Sequence, residues 1–293
     1  MTGEREDNRR LVSCLERVKK EFSRENFLLE YENPVDFVQL QYGPSVLFIA
    51  WSVCWAILHV LGLGLQPYFN KNYDLDLKWF SYLTYWGYTT LCVFTLCDSV
   101  ATVYVHIRRQ DIIQGECKAM PWYLKAVWVQ FNVNTPVALV ITILFYLFIP
   151  NDTSPNSILV HAMNTVYVSA NVIVCAKPLR MLHVYHPFLY GTVYVIFSVI
   201  YQKTTGRVVY TQLDWDNMPQ TALFMLGILL LILPFLYFMC LLVTRLRTLL
   251  HTKLCKMKTA SVSPSESPDC PNESNKGIVR EEIYSNHVHK NKE

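Results

Sequence analysis

Residues 217–244 read NMPQTALFMLGILLLILPFLYFMCLLVT, with no Asp, Glu, Lys or Arg among them. About 20 apolar residues, rising 1.5 Å each, cross the hydrocarbon core of a bilayer, so this stretch is long enough to span one. Five more charge-free stretches precede it, at 37–70, 79–97, 126–151, 153–176 and 181–202, each rich in Leu, Ile, Val, Phe, Tyr and Trp. The chain is therefore read as all-α: a polytopic transmembrane six-helix bundle with spans at 44–64, 79–104, 122–149, 157–177, 185–203 and 220–247.

Composition agrees. Hydrophobic residues make up 52% of the 293 and charged residues only 17%, against about 25% charged in an ordinary soluble domain. The spans fill most of 44–248, which leaves room for one bundle. The net charge of +3 is small, and the basic excess lies beside the spans, so it is read as topology and headgroup contact, with no nucleic-acid partner. The first 43 residues are polar, so no cleavable signal peptide is expected and the first span serves as the targeting signal. Gly3 is not at position two, so the myristoylation pattern is absent. None of the nine cysteines falls in loops 65–78, 150–156 or 203–219, so a disulfide framework is not expected.

Loop charge sets the orientation. Arg108, Arg109 and Lys118 lie in loop 105–121, Arg180 and Lys177 at the next even-numbered connection, and Arg245, Arg247, Lys253, Lys256 and Lys258 after the last span. In loops 65–78 and 203–219 the basic residues are balanced by Asp74, Asp76, Asp214 and Asp216. The positive-inside rule puts the N- and C-termini in the cytoplasm. The sequon Asn151-Asp152-Thr153 then falls in an outward loop. Leu11, Leu15, Val18 and Phe22 recur at helical spacing among basic residues, as in a short amphipathic helix on the membrane surface; a solvated tail is the alternative. Residues 249–293 are expected to be a disordered cytoplasmic tail, rich in Ser, Pro, Asn, Glu and Lys. Cys255 beside its lysines is a juxtamembrane acylation candidate.

Polar residues inside the spans mark helix contacts or function. Thr84, Tyr88, Thr95 and Asp98 share one helical face, and so, for the most part, do His161, Asn164, Thr165 and Asn171. Asp98 lies near the cytoplasmic end, close enough to reach water. Pro136 lacks the N–H that would bond the Asn132 carbonyl, so a kink with polar repair is expected among Gln130, Asn132 and Asn134. Pro234 marks a second kink. Thr84 and His161 stand at matched depth near the outer face. A threonine hydroxyl needs a base to act as a nucleophile, and histidine, with an ordinary pKa of about 6.5, is the usual one. The N-termini of the second, fourth and sixth spans begin at that face and carry partial positive charge suited to a developing oxyanion. Asp214, in the outer loop, is the candidate to orient His161. The plainer reading is a hydrogen-bonded structural pair.

Residues 164–202, NTVYVSANVIVCAKPLRMLHVYHPFLYGTVYVIFSVIYQ, with Phe80–Gly87 (FSYLTYWG) and Gln212–Trp215 (QLDW), resemble the rolling stone family of invertebrate membrane proteins over about residues 27–248. Where that family carries Asn after the Thr, this chain has Tyr85. The resemblance implies six spans and an association with fusion of muscle precursor cells. More remotely, Tyr82-Leu83-Thr84 and His161 are similar to elements of the androgen-induced protein family, membrane threonine hydrolases that cleave fatty acid esters of hydroxy fatty acids.

Other chemistry is poorly represented. There is no Gly-x-Ser-x-Gly elbow, phosphate loop or dinucleotide fingerprint, and no cofactor is expected. His183-x-x-His186 and the Asp214/Asp216 and Asp74/Asp76 pairs offer too few ligands for a dedicated metal site. Three functional readings stay open: a contact protein acting in cell fusion, a hydrolase of a fatty acyl ester using Thr84 and His161, and a transporter or channel. Beyond the lipid bilayer no protein partner is indicated, and the membrane is the plasma membrane or the endoplasmic reticulum.

Overall fold

In the computed structural model, residues 21–69, 79–149 and 151–261 are described. Six helices are long and apolar enough to cross a bilayer. They are α1 (Val46–Phe69), α2 (Leu83–Arg108), α3 (Trp122–Phe148), α4 (Pro155–Val174), α5 (Met181–Thr205) and α6, whose apolar length covers Met218–Cys255. Among the described residues there is no strand, only an isolated antiparallel bridge between Leu40 and Cys175.

α3 lies at the centre, packed against α2, α4 and α5, while α1 lies along α2. Two apolar clusters fill the bundle. One gathers Phe37, Phe48, Phe94, Trp128, Phe131, Tyr167 and Tyr237. The other gathers Val137, Ile141, Tyr194, Trp215 and Leu229. Leu, Val and Ile point outward along every span, for example Leu61, Val100, Leu147, Val166, Ile196 and Leu231. In water such surface would be a liability; in lipid it meets solvent of its own kind.

Two helices contain π turns, Ile158–Ala162 in α4 and Ile228–Ile232 in α6. The second lies just before Pro234, which has no N–H to donate, so the ladder loosens where a sequence kink is expected. Around Pro136, helix α3 remains continuous. Asn134 Nδ2 folds back on its own helix to donate to the Gln130 carbonyl at 2.9 Å, while Asn132 ties α3 to its neighbours. Asn132 Oδ1 accepts from the Tyr237 hydroxyl at 3.3 Å, and its amide lies 3.2 Å from His183 Nδ1. These residues hold α3, α5 and α6 together, as the structural reading of the polar stripes expects.

The N-terminal boundary differs from expectation. Residues before α1 are built into the end of the bundle where α1 begins and α4 ends. Pro34–Phe37 form a 3-10 turn, with Phe37 and Val38 fully buried and Phe37 edge-on to Trp128 at 5.2 Å. Gln41 N bonds the Val174 carbonyl at 2.9 Å, and Ala176 N bonds the Gln39 carbonyl at 3.1 Å. The apolar residues Val35, Phe37 and Val38 are too few to register as a span, yet Phe37 and Val38 bury like core and Val35 packs partly buried against them. The amphipathic helix expected over Leu11–Phe22 lies outside the described residues except for its last two.

The compact bundle ends at Arg247, and a second unit begins at Thr248. Residues 249–261, expected to be disordered, are helical, continuing Leu233–Ser261. No Gly or Pro interrupts the chain before Pro264, so nothing stops the helix. Within this unit Cys255 Sγ lies 3.7 Å from His251 Nε2. The tail expected beyond Ser261 lies outside the described residues.

A second correction concerns Asp98. It does not reach water: it is buried, and its carboxylate oxygens lie 2.9 and 3.0 Å from Lys177 Nζ, which is also wholly buried. Lys177, counted with the loop charges in the topology reading, is an interior cation.

Candidate functional site

A cavity of about 1060 Å³ opens between the C-terminal end of α1 and the N-terminal ends of α2 and α4. Thr84 and His161 both line it, with Leu63, Gln66, Thr89, Phe145, Val160 and Tyr210. Matched depth on two helices starting from the same face, legible in the sequence, brings the two side chains to one chamber.

Thr84 owes its position to a break in the chain. The second span was expected to be helical from residue 79, but Trp79–Ser81 form a 3-10 turn and the α-helix begins at Leu83. Side chains take the carbonyls that would have continued the helix: Trp86 Nε1 donates to the Phe80 carbonyl at 2.5 Å, and the Tyr194 hydroxyl to the Ser81 carbonyl at 2.9 Å. Thr84 therefore sits in the first turn of α2, where backbone N–H groups have no intrahelical partner. Tyr210 lines the same cavity as Thr84, and its ring stands edge-on to Tyr82 with centroids 5.6 Å apart. Burial pushes the Tyr210 phenol up to about 12, so it remains a neutral donor at physiological pH.

His161 is held by the π turn of α4. The wider turn frees its carbonyl, which accepts from Thr142 Oγ1 at 2.9 Å, and Thr165 in turn donates to Thr142 at 2.8 Å. Phe145 stacks on the imidazole, centroid to centroid at 3.6 Å and 16° between planes. The ring is thereby fixed in plane and buried, and its Nδ1 has no hydrogen-bond partner.

Asp214, the expected orienting acid, is engaged elsewhere. Its Oδ1 accepts from Gln202 Nε2 at 2.8 Å and from Asp216 N at 3.1 Å. Its carbonyl accepts from Thr221 Oγ1 at 2.5 Å. It ties the loop after α5 to the start of α6 and is not among the residues lining the cavity. The carboxylate that does line it is Asp152. Sequence reading saw Asp152 only as the middle of a sequon, and overlooked Tyr210 altogether. Its only signal was position: an aromatic in the same outer loop as Asp214.

Among the described residues no group of three or more His, Cys, Asp or Glu side chains is placed to hold a metal ion. His183 and His186 serve packing: His183 Nδ1 meets Asn132, and His186 Nδ1 lies 3.1 Å from the His183 carbonyl.

Six lipid-facing helices around a polar-threaded interior, with a chamber at one end, define a polytopic integral membrane protein. Its sequence matches the family described as protein rolling stone over residues 12–264, and the chain belongs to that family. It is 28% identical over 235 residues to Protein rolling stone of Drosophila melanogaster, covering 73% of this chain and 84% of that protein. No solved structure matches the chain.

Proposed function

We propose that this protein hydrolyses a fatty acyl ester within the outer leaflet, with Thr84 as nucleophile and His161 as base. The observation that carries this reading is that one cavity, lined mostly by apolar and aromatic residues, takes in both side chains. Thr84 Oγ attacks the ester carbonyl carbon as its proton passes to His161. The carbonyl π electrons move to oxygen, where the Tyr210 hydroxyl is the donor for the charge. Collapse expels the alcohol, which takes the proton from His161, and leaves an acyl-Thr84 ester. Water, deprotonated by His161, attacks the carbonyl carbon of that ester; the bond from that carbon to Thr84 Oγ breaks, Oγ takes the proton back from His161, and the fatty acid leaves. Asp152, rather than Asp214, is the acid placed to steady the imidazolium.

The test is hydrolysis of a long-chain fluorogenic acyl ester by purified protein in detergent or lipid. Activity that disappears in Thr84→Ala and His161→Ala, and persists in part in Thr84→Ser, supports the reading. Activity equal in Thr84→Ala and wild type overturns it.

The family association with cell fusion is compatible with such chemistry, since cleavage of an outer-leaflet lipid alters the membrane where two cells meet. A role as a pure contact protein has less support. The described part of the outer loop after α5 is folded onto its own helices by Trp215 Nε1 to Ser198 at 3.1 Å, Trp215 N to Gln202 at 2.9 Å and Lys203 to Asp216 at 2.5 Å.

A further inference from the structure

The floor of the cavity is formed by Leu63 on α1, Thr89 on α2 and Val160 on α4. One turn deeper on two of these helices lie His59 and Asn164, both buried. Neither ring nitrogen of His59 has a hydrogen-bond partner. Asn164 donates to the Val160 carbonyl at 2.7 Å, but its Oδ1 has no partner. Unpaired polar atoms in a bilayer interior are costly, and ordered water is the usual remedy.

The polar series continues inward. Tyr167, almost fully buried, stands edge-on to His59 with centroids 5.0 Å apart, and its ring also lies 6.4 Å from that of Phe94 on α2, one turn from Asp98. Asp98 is paired with Lys177, whose Nζ lies 2.9 and 3.0 Å from its two carboxylate oxygens. Tyr167 faces the pair from α4. From α6, Arg247 reaches in to hold the Val172 carbonyl at 2.6 Å and the Lys177 carbonyl at 3.1 Å. From α1, Phe48 places its ring 4.3 Å from Lys177 Nζ, and Trp51 Nε1 donates to Asn171 at 3.2 Å. On the cytoplasmic side the strap of residues 39–41, bridged to 174–176, covers the approach. The pair is thus closed toward the cytoplasm, while unpaired polar atoms lead from it toward the outer chamber.

We propose that His59, Asn164 and Tyr167 form a proton-entry path from the outer cavity to Asp98, making the Asp98–Lys177 pair a proton-binding site addressed from the outer face. A hydronium in the cavity transfers its proton through bound water to His59 Nε2. The imidazole releases its Nδ1 proton onward, and Asp98 carboxylate becomes the carboxylic acid. One positive charge enters the bundle and no bond other than O–H and N–H changes. Ionisable residues inside membranes are used in this way by proton-coupled carriers. The site is independent of Thr84 and of the acyl chemistry proposed above.

The test is infrared difference spectroscopy of the full-length protein in lipid nanodiscs after a drop in pH. A protonated-carboxyl C=O band is expected that shifts in D2O and is lost in the double variant Asp98→Asn/Lys177→Met, which leaves no unpaired charge behind. The band should form several-fold more slowly in His59→Leu. Asn164→Leu, which blocks the same path from the other helix, provides the same reading should His59→Leu fail to fold. A folded protein with no Asp98-dependent band, or a band that forms at the wild-type rate in the folded His59 and Asn164 variants, overturns the proposal.

Discussion

Asp98 and Lys177 are 79 positions apart in sequence, and neither betrays the other. Read along the chain, one is an acid near a helix end and the other a loop cation. Only the packed bundle makes them partners, through long-range geometry that no local pattern encodes. Removing one member of a buried pair leaves an uncompensated charge, which typically costs about 3–5 kcal/mol. Lys177→Met is therefore expected to lower the thermal midpoint sharply, and Asp98→Asn/Lys177→Met to recover much of the loss. A double-variant midpoint no higher than that of Lys177→Met would deny the coupling. Gly62 offers a second residue-scale test. A Cβ built there would lie 1.9 Å from the Tyr88 hydroxyl oxygen. Gly62→Ala should destabilise the protein by about 1–3 kcal/mol, and adding Tyr88→Phe, which deletes that oxygen, should restore most of it.

At the scale of elements, the spans were legible because charge is excluded from hydrocarbon, and charge-free runs mark where helices cross. Their ends were less legible. Thr84 stands in a first helical turn because Trp86 and Tyr194 capture the carbonyls of Phe80 and Ser81, contacts that involve a turn and a helix distant in sequence. The matched depth of Thr84 and His161 was legible from helix rise alone, whereas the π turn that frees the His161 carbonyl was not. Asp214 was assigned to the wrong neighbour because a loop acid has no periodicity to aim it. The same loop carries the pH-sensitive element. The hydrogen bond from Lys203, with its charge, holds the Asp216 carboxyl below the usual carboxylate range. A depressed folded-state value means that stability from this contact is present above the ordinary carboxylate pKa and declines as pH falls through the depressed one. Because the pair is exposed, the effect is small. Thermal midpoints measured from neutral to acid pH should show a component that Lys203→Met removes; an unchanged profile in that variant would assign the acid sensitivity elsewhere.

The whole molecule joins a lipid-facing exterior, a chamber at the end of the bundle where α2 and α4 begin, and a strap at the opposite end. Burial of Phe37 makes that strap part of the fold, and Phe37→Ala is expected to cost about 3–5 kcal/mol, read as lost thermal stability of the entire bundle rather than of a detachable tail. The central claim is that the chamber holds an activated hydroxyl at Thr84. The most direct measurement is labelling of the expressed protein in membranes with an alkyl fluorophosphonate, alongside Thr84→Ala and His161→Ala variants shown to fold and reach the same membrane. The account predicts that the wild type labels and that neither variant does. A wild type that stays unlabelled while a known hydrolase in the same membranes reacts would contradict it, and would return Thr84 and His161 to the role of packing residues.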